Sequence, residues 1–186
     1  MPSHTQPSSA FERGSAIGRR GRLRRVGILC CHCLRNLAFY RAGYKAGTPF
    51  KGRQFWVNLN GNFLDIAVLE WCKLFGDPRG KHYFGKVVSD ATAFKAGLLL
   101  SLQAADIEFD QYVAQMRNYR DKFVAHLDDL NIMQIPSLTI AKKSTVYLYD
   151  YLVTNESEGN TFHDAPATAK PFYKKCLAQG ETAYRK

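Results

Sequence analysis

The chain has 186 residues, of which 46% are hydrophobic and 13% aromatic, and this composition excludes a disordered protein. Its longest apolar runs, Val26–Cys31 and Ala96–Leu100, are far shorter than the roughly 20 residues that a membrane span needs. We therefore expect a soluble globular protein without a membrane partner.

The net charge of +10 is concentrated towards the two ends of the chain. Residues 1–25 carry six Arg and one acid, and residues 160–186 carry five Lys or Arg and two acids. Between Glu12 and Asp65 there are eleven Lys or Arg and no acid. This excess of cations predicts a polyanionic partner such as RNA, although a solvated basic tail would give the same pattern over residues 1–25.

The cysteine pattern and the N-terminal sequence indicate the cellular compartment in which the protein is expected. The five cysteines are an odd and clustered set, which does not resemble a disulfide framework and favours a reducing environment. The N-terminus lacks the charged, apolar and small-residue order of a signal peptide. We therefore expect a cytoplasmic protein.

Residues 1–21 lack hydrophobic periodicity and are predicted to be a disordered basic tail. A first helix is predicted from Arg22 to about Ala46, and Gly47-Thr48-Pro49 ends it. Its apolar face is formed by residues at steps of mostly three and four: Val26, Leu29, Cys30, Cys33, Leu37, Tyr40 and Tyr44.

A second helix is predicted up to Gly76-Asp77-Pro78, and a loop over residues 77–88 follows it. Ser89 or Asp90 can cap a third helix that ends near Leu102. The apolar face of the second helix is predicted to consist of Phe55, Leu59, Phe63, Ile66 and Leu69.

Asp106 opens a fourth predicted helix, and Pro136 and Ser137 open a final helical segment. Residues 145–153 fit either a strand or a helix, and the helical neighbours favour a helix. Residues 155–170 are predicted to be a loop, followed by a basic tail with one or two helical turns. The chain therefore reads as an all-α protein, an antiparallel bundle of four to five helices over residues 22–155 with a basic C-terminal extension at 156–186.

The fourth helix carries a cation in its apolar ladder. Phe109, Val113, Met116, Phe123 and Leu127 leave one slot at helical spacing, and Arg120 occupies it. A guanidinium in a packed stripe costs several kcal/mol unless a carboxylate, phosphate or cleft receives it. Two interpretations stay open: Arg120 pairs with a buried acid, for which Asp65 and Glu70 are candidates, or this face of the helix lines a site.

His126 lies six residues after Arg120, near the end of the same predicted helix. The two side chains would be about 120° apart around the helix, with an axial offset of about 9 Å. They could flank one phosphate in a cleft or meet across a symmetric dimer. Alternatively, His126 is a cation that interacts favourably with the helix C-terminus.

The run Arg117-Asn118-Tyr119-Arg120-Asp121-Lys122-Phe123-Val124-Ala125-His126 resembles the signature of the HEPN superfamily, an Arg followed by a polar residue and, four to six residues on, a His. The segments Trp71–Phe75, Tyr119–Lys122 and Ala125–Asp128 are similar to the abortive-infection AbiU-like branch. The resemblance covers roughly residues 24–155.

The resemblance implies a metal-independent endoribonuclease of toxin or antiphage type, which acts as a homodimer, needs no cofactor and leaves a 2′,3′-cyclic phosphate. His126 would move the proton, and Arg120 would stabilise the charge of the phosphorane. Asp121 would orient one of these two side chains. The residues expected to position the substrate are Arg117, Asn118, Tyr119 and Asp128.

An antitoxin protein is a possible partner under this resemblance. HEPN toxins that are silenced by adenylylation carry a Tyr two residues after the His, and Asp128 stands at that position in this chain. We therefore do not expect that route of neutralisation.

Two alternatives remain to the enzyme. One is a structural domain in which Arg120 completes a buried ion pair. The other is a non-catalytic module that binds RNA or an acidic partner through a basic patch on the first helix, formed by Arg22, Arg24, Arg25, Arg35 and Arg41.

Two further motifs are interpreted as structural. Cys30-Cys31-His32-Cys33 fans around a helix without a second ligand pair, so core cysteines are expected and no metal. The run Gly76–His82 lacks the Ser or Thr and the preceding strand of a phosphate-binding loop.

Overall fold

The structure is a computed structural model that describes residues 17–45, 48–49, 52–125 and 134–185. It is all-α in its main elements, as predicted. The helices are α1 (Arg19–Ala42), α2 (Gln54–Trp71), α3 (Ala91–Leu102), α4 (Asp106–Tyr119), α5 (Leu138–Tyr151) and α6 (Ala169–Arg185). Shorter elements are the strands β1 (Tyr44–Lys45) and β2 (Thr48–Pro49), a 3₁₀ turn at Phe84–Lys86, and π-helical turns at Cys72–Gly76, Arg120–Ala125 and Leu152–Glu156.

Helix α1 is the central element, since it packs against α2, α5 and α6. Contacts on several sides bury more of it than the single predicted face, and Leu23, Gly27, Leu34, Ala38 and Ala42 are buried as well.

The predicted bounds of α1 were wrong at both ends. The helix begins at Arg19, inside the predicted tail of residues 1–21, of which residues 1–16 lie outside the described part of the chain. It ends at Ala42, where the chain turns into an antiparallel pair in which Tyr44 lies opposite Pro49. Gly43, the next residue, lies against the side chain of Asn60 on α2.

Helix α2 forms where it was predicted, but the predicted apolar face was wrong. Phe55 is 68% exposed and Ile66 is 41% exposed. The side chains that enter the core are Asn60, Leu64, Ala67, Val68 and Trp71. Because α2 carries apolar residues around most of its circumference, periodicity alone did not distinguish between two adjacent faces.

Helices α3 and α4 begin where the sequence predicted. Asp90 caps α3, since its Oδ1 accepts a hydrogen bond from the backbone N–H of Ala93 at 2.9 Å. At the start of α4, the carboxylate of Glu108 accepts from the backbone N–H of Ala105 at 2.7 Å. Both contacts satisfy donors that a helix N-terminus leaves unpaired.

Residues 145–153 are helical, as the sequence favoured: α5 runs to Tyr151 and continues as a π-helical turn. The buried hydroxyls of α5 are satisfied locally, because Thr145 donates to the carbonyl of Ala141 and Ser144 to that of Ile140. Their polarity therefore does not disturb the core.

The expected one or two helical turns near the C-terminus understate α6, which has 17 residues. Its Gly180 lies against Ala42 of α1, and the hydroxyl of Tyr184 donates to Asn60 Oδ1 at 3.0 Å. Much of the predicted extension at 156–186 is thus packed against the same core as the other helices. The basic residues of α6 give it the composition of an exposed tail, although its buried residues lie on one side of the helix.

No helix within the described ranges is both long enough and apolar enough to cross a bilayer.

Candidate active site at the end of helix α4

The ends of α2 and α4 meet, and each continues as a π-helical turn. The Cys72 thiol is 3.7 Å from the carbonyl oxygen of Met116, to which it donates. A Cβ placed on Gly76 would lie 3.2 Å from Cγ of Arg117, so the arginine stem passes directly over this glycine. π-Helical turns occur frequently at functional sites, and in this protein they bring Arg117 and Arg120 beside the end of α2.

Arg120 is held by its sequence neighbour. Its Nε donates to Asp121 Oδ1 at 2.7 Å, and its side chain is 24% exposed against 53% for Asp121. The hydrogen bond with Asp121 raises the pKa of Arg120 above its ordinary value, so the guanidinium remains charged. Asp121 engages one of the five donors of the guanidinium, which has the planar geometry that binds phosphate.

Of the two interpretations left open for Arg120, pairing with a buried acid is not observed. Asp65 accepts instead from the hydroxyl of Tyr119 at 3.2 Å, and Glu70 accepts from Lys73 Nζ at 3.2 Å. Burial raises the pKa of Asp65, and the hydrogen bond from Tyr119 opposes that shift.

The predicted apolar ladder is confirmed for Phe109 and Met116, which are buried, and for Val113 and Phe123, which pack partly buried against the core, but Arg120 does not share their burial. Tyr119 is 2% exposed, and it completes a buried series at spacings of three and four residues with Phe109, Tyr112 and Met116. The two tyrosines bury their rings while Tyr112 donates to the carbonyl of Ser137 and Tyr119 to Asp65. Arg120 therefore lies at the edge of the packed surface, next to solvent.

The other predicted site residues have different surroundings. Arg117 and Asn118 are exposed at the end of α4, whereas Tyr119 is buried and positions Asp65 rather than facing solvent. His126 and Asp128 lie outside the described residues, so their roles stay predictions of the motif.

Cys72 is a nucleophile-type side chain that interacts electrostatically with Arg120. Burial raises the pKa of its thiol to about 12, although Arg120 and Arg117 partly offset the shift. A thiol with this pKa stays protonated at neutral pH and is a weak nucleophile. Cys72 therefore acts as a buried hydrogen-bond donor.

The five arginines predicted to form one RNA-binding patch lie on different sides of α1. Arg24 forms two hydrogen bonds with the Asp164 carboxylate, at 2.7 and 2.6 Å. Arg35 lies over the ring of Phe172 at 5.6 Å, and Arg41 lines a cavity between α1, α5 and α6. Arg22 lines a cavity with Val87 and Val88, and the charges of Arg25 and Arg22 lower the pKa of His82.

A basic cluster around His82 was not predicted from the sequence. Burial lowers the pKa of His82, and the charges of Arg25 and Lys73 lower it further. Glu70 opposes this shift, and Arg22 adds the smallest lowering effect. Lys73 and His82 are far from α1 in sequence, and only the packing of the loop against α1 brings these charges together.

The cysteines of α1 occupy the positions that were expected. Cys30 and Cys33 are buried in the core, and burial raises the pKa of Cys33 to about 12. Within the described ranges, no group of three His, Cys, Asp or Glu side chains is arranged to hold a metal ion.

Comparison of the chain with protein-family models, with curated proteins and with solved structures found no match. The proposed roles of Arg120, Asp121 and His126 therefore rest on the geometry of this molecule and on the sequence motif that contains these residues.

Proposed function

We propose that the protein is a metal-independent endoribonuclease in which Arg120 and His126 act on the RNA phosphate. The observation that carries this proposal is the placement of Arg120. Its charge is balanced by the exposed Asp121 rather than sealed by a buried acid, and its side chain reaches solvent at the meeting point of two helix ends. A purely structural arginine would be expected to contact Asp65 or Glu70, and both of these acids accept from other donors.

The proposed chemistry uses groups that RNA and the protein already contain. The RNA 2′-OH attacks the adjacent phosphorus, the 5′-oxygen leaves, and the products are a 2′,3′-cyclic phosphate and a 5′-hydroxyl. His126, whose ordinary pKa is near neutrality, moves the proton as general base or acid. Arg120 stabilises the additional negative charge on the phosphorane, and Asp121 holds the guanidinium in place.

A HEPN-type antiparallel bundle is the fold that accompanies this function. Two contact series support opposite directions for neighbouring helices. Phe39 of α1 contacts Phe63 of α2 while Cys33 contacts Ala67. Tyr119 of α4 contacts Asp65 while the earlier residue Phe109 contacts Phe75. The proposed assembly is a homodimer with both Arg-His pairs in one cleft, and the proposed setting is cytoplasmic antiphage defence, with an antitoxin as possible partner.

The test is cleavage of labelled single-stranded RNA and total tRNA by the purified full chain in EDTA, with analysis of the product ends. We expect cyclic-phosphate ends. We expect Arg120→Ala and His126→Ala each to lower the rate about 10²- to 10³-fold, in the range typical of charge-stabilising and acid-base groups.

Arg185→Ala is the matched control, because it removes an exposed arginine from α6 and should leave the rate unchanged. Thermal unfolding of each variant establishes that it is folded. Cleavage that requires a divalent cation, or that persists in both site variants, would refute the proposed mechanism.

A second candidate function is RNA binding without cleavage, and the cations around His82 favour it. Arg22 and Arg25 have no carboxylate partner among the described residues, whereas the charge of Lys73 is paired with Glu70 at 3.2 Å. In this case wild-type protein would bind RNA but not cut it. The Arg22→Gln, Arg25→Gln double variant would then bind more weakly, with a salt dependence reduced by about two counterions.

A further inference from the structure

A cavity of about 420 Å³ lies between the C-terminal half of α1, the start of α5 and α6. Its apolar surface includes Leu37 and Leu138, and its polar side chains include Tyr40, Arg41, Lys142 and Tyr173. This volume is within the range of about 300–1,000 Å³ that small-molecule sites occupy.

The cavity is cationic and has no acidic lining residue among those described. Neither Arg41 nor Lys142 forms a salt bridge with a described carboxylate. Lys142 Nζ lies 5.3 Å from the centre of the Tyr173 ring. Burial raises the pKa of Tyr173, and the charge of Arg41, which lines the same cavity, lowers it. Two positive charges and the Tyr173 ring therefore line the same cavity.

Tyr40 supplies a second aromatic ring and a connection to the proposed active site. Its ring packs against the Tyr44 ring at 5.1 Å, and the pKa of its hydroxyl, which burial raises, is raised slightly further by Tyr119. The lining residues Pro136 and Leu138 flank Ser137, whose carbonyl accepts a hydrogen bond from Tyr112 of α4 at 2.7 Å. The cavity thus shares its supporting residues with the helix that carries Arg120.

We propose that this cavity binds a nucleotide, with the phosphate between Arg41 and Lys142 and the base against a tyrosine ring. Arginine and lysine bind phosphate through charge-assisted hydrogen bonds, and a tyrosine ring accepts any base by stacking. Apolar and aromatic side chains beside two cations fit a ligand that has both a flat ring and an anionic group. The nucleotide is either free or one unit of an RNA strand, and the experiment distinguishes these sources.

The test is calorimetric titration of the full chain with AMP, with adenosine and with a short single-stranded RNA that lacks a 2′-OH at its cleavable positions. We expect Lys142→Met to weaken AMP or RNA binding about tenfold or more, since it removes a charged contact to phosphate but keeps most of the side-chain volume. Adenosine, which lacks the phosphate, should bind weakly and be insensitive to this substitution.

Lys143→Met is the matched control, because Lys143 is the next residue of α5, is exposed and does not line the cavity. Binding of AMP that depends on Lys142 indicates a site for free nucleotides. RNA binding that depends on Lys142 without AMP binding indicates a unit of a strand. Equal affinities in the two lysine variants, or no saturable binding of either probe, would overturn the proposal. RNA cleavage is measured separately with cleavable substrate, so failure of this site is distinguishable from failure of the proposed nuclease.

Discussion

The side chain of Arg120 is oriented by a hydrogen bond to its sequence neighbour Asp121. A guanidinium that is buried without a partner costs several kcal/mol, and the pair with Asp121 avoids that cost while it keeps the side chain near solvent. A surface pair of this kind contributes little stability, about 0–1 kcal/mol, so orientation of Arg120 is a better explanation for it than stability. Asp121 is therefore a positioning residue in the proposed reaction.

The buried contact between Trp71 and Ser144 gives a prediction at the same scale. Trp71 Nε1 donates to Ser144 Oγ at 2.9 Å between α2 and α5, and both side chains are buried. Ser144→Ala leaves the indole N–H without its acceptor. We expect the free energy of unfolding, measured in urea, to fall by about 1–3 kcal/mol.

The control for this substitution is Thr182→Ala on α6, where an exposed hydroxyl donates to the carbonyl of Ala178. It should change the unfolding free energy by less than about 0.5 kcal/mol. Equal losses in the two variants would show that the indole hydrogen bond is not important for stability.

At the scale of elements, α2, α4 and α5 each end in a π-helical turn. A π-helical turn adds a residue to the helical repeat and so rotates the following side chains relative to an ideal α-helix. In α4 this turn begins at Arg120, one residue after the last buried tyrosine. The ideal helical spacing used in the sequence analysis therefore does not apply from that point onwards.

The packing of α6 on α1 predicts that two Gly→Ala substitutions, at Gly180 and at Gly61, change the free energy of unfolding in opposite directions. A Cβ at Gly180 would lie 2.7 Å from the Cβ of Ala42, which is fixed to the backbone of α1. We expect Gly180→Ala to lower the free energy of unfolding by about 1–3 kcal/mol, despite the better helix propensity of Ala.

Gly61→Ala on α2 is the matched substitution, because no atom lies within 4 Å of the added methyl group. We expect it to raise the free energy of unfolding by about 0.5–1 kcal/mol through helix propensity. Thermal and urea unfolding measure both values. A stabilising Gly180→Ala would contradict the close contact between α6 and α1.

At the scale of the whole molecule, Glu156 joins three separate parts of the chain. It is 4% exposed and accepts hydrogen bonds from Ser89 N and Oγ at 2.6 and 2.7 Å, next to a salt bridge with Arg19. These contacts connect the turn after α5 with the entry to α3 and the start of α1. Burial raises the pKa of Glu156, but the bonds from Ser89 and Arg19 outweigh it and lower the pKa below the ordinary 4.5.

This lowered pKa predicts a pH dependence with a defined sign. Because the folded pKa lies below the unfolded one, the stabilisation is complete above about 4.5 and is lost as the pH falls through the folded value. We expect Glu156→Gln to lower the free energy of unfolding by about 1–3 kcal/mol at neutral pH.

The difference between wild type and Glu156→Gln should then close as the pH decreases below 4.5. Urea unfolding midpoints at a series of pH values measure this difference. If the difference in unfolding free energy between the two proteins does not depend on pH, then the shape of the Glu156 side chain, and not its charge, stabilises the fold.

The helical class and the starts of α3 and α4 followed from the sequence alone. These features depend on local chemistry: the cap at Asp90 and the acidic first turn of α4 act within one turn, and hydrophobic spacing acts within one helix. The core cysteines Cys30 and Cys33 were predictable for the same reason. Residues 126–133 lie outside the described part of the chain, so His126 stays a prediction of the motif.

Only the tertiary structure decided which face of α2 is buried, that α6 is a full helix against α1, and what surrounds Arg120. Each of these features depends on contacts between residues that are distant in the chain, such as Gly180 with Ala42 or Asp65 with Tyr119. The position of Arg120 depends also on a π-helical turn that ideal spacing does not predict. A local pattern determines that a helix forms, whereas the surfaces of its neighbours determine which side chains it buries and which reach solvent.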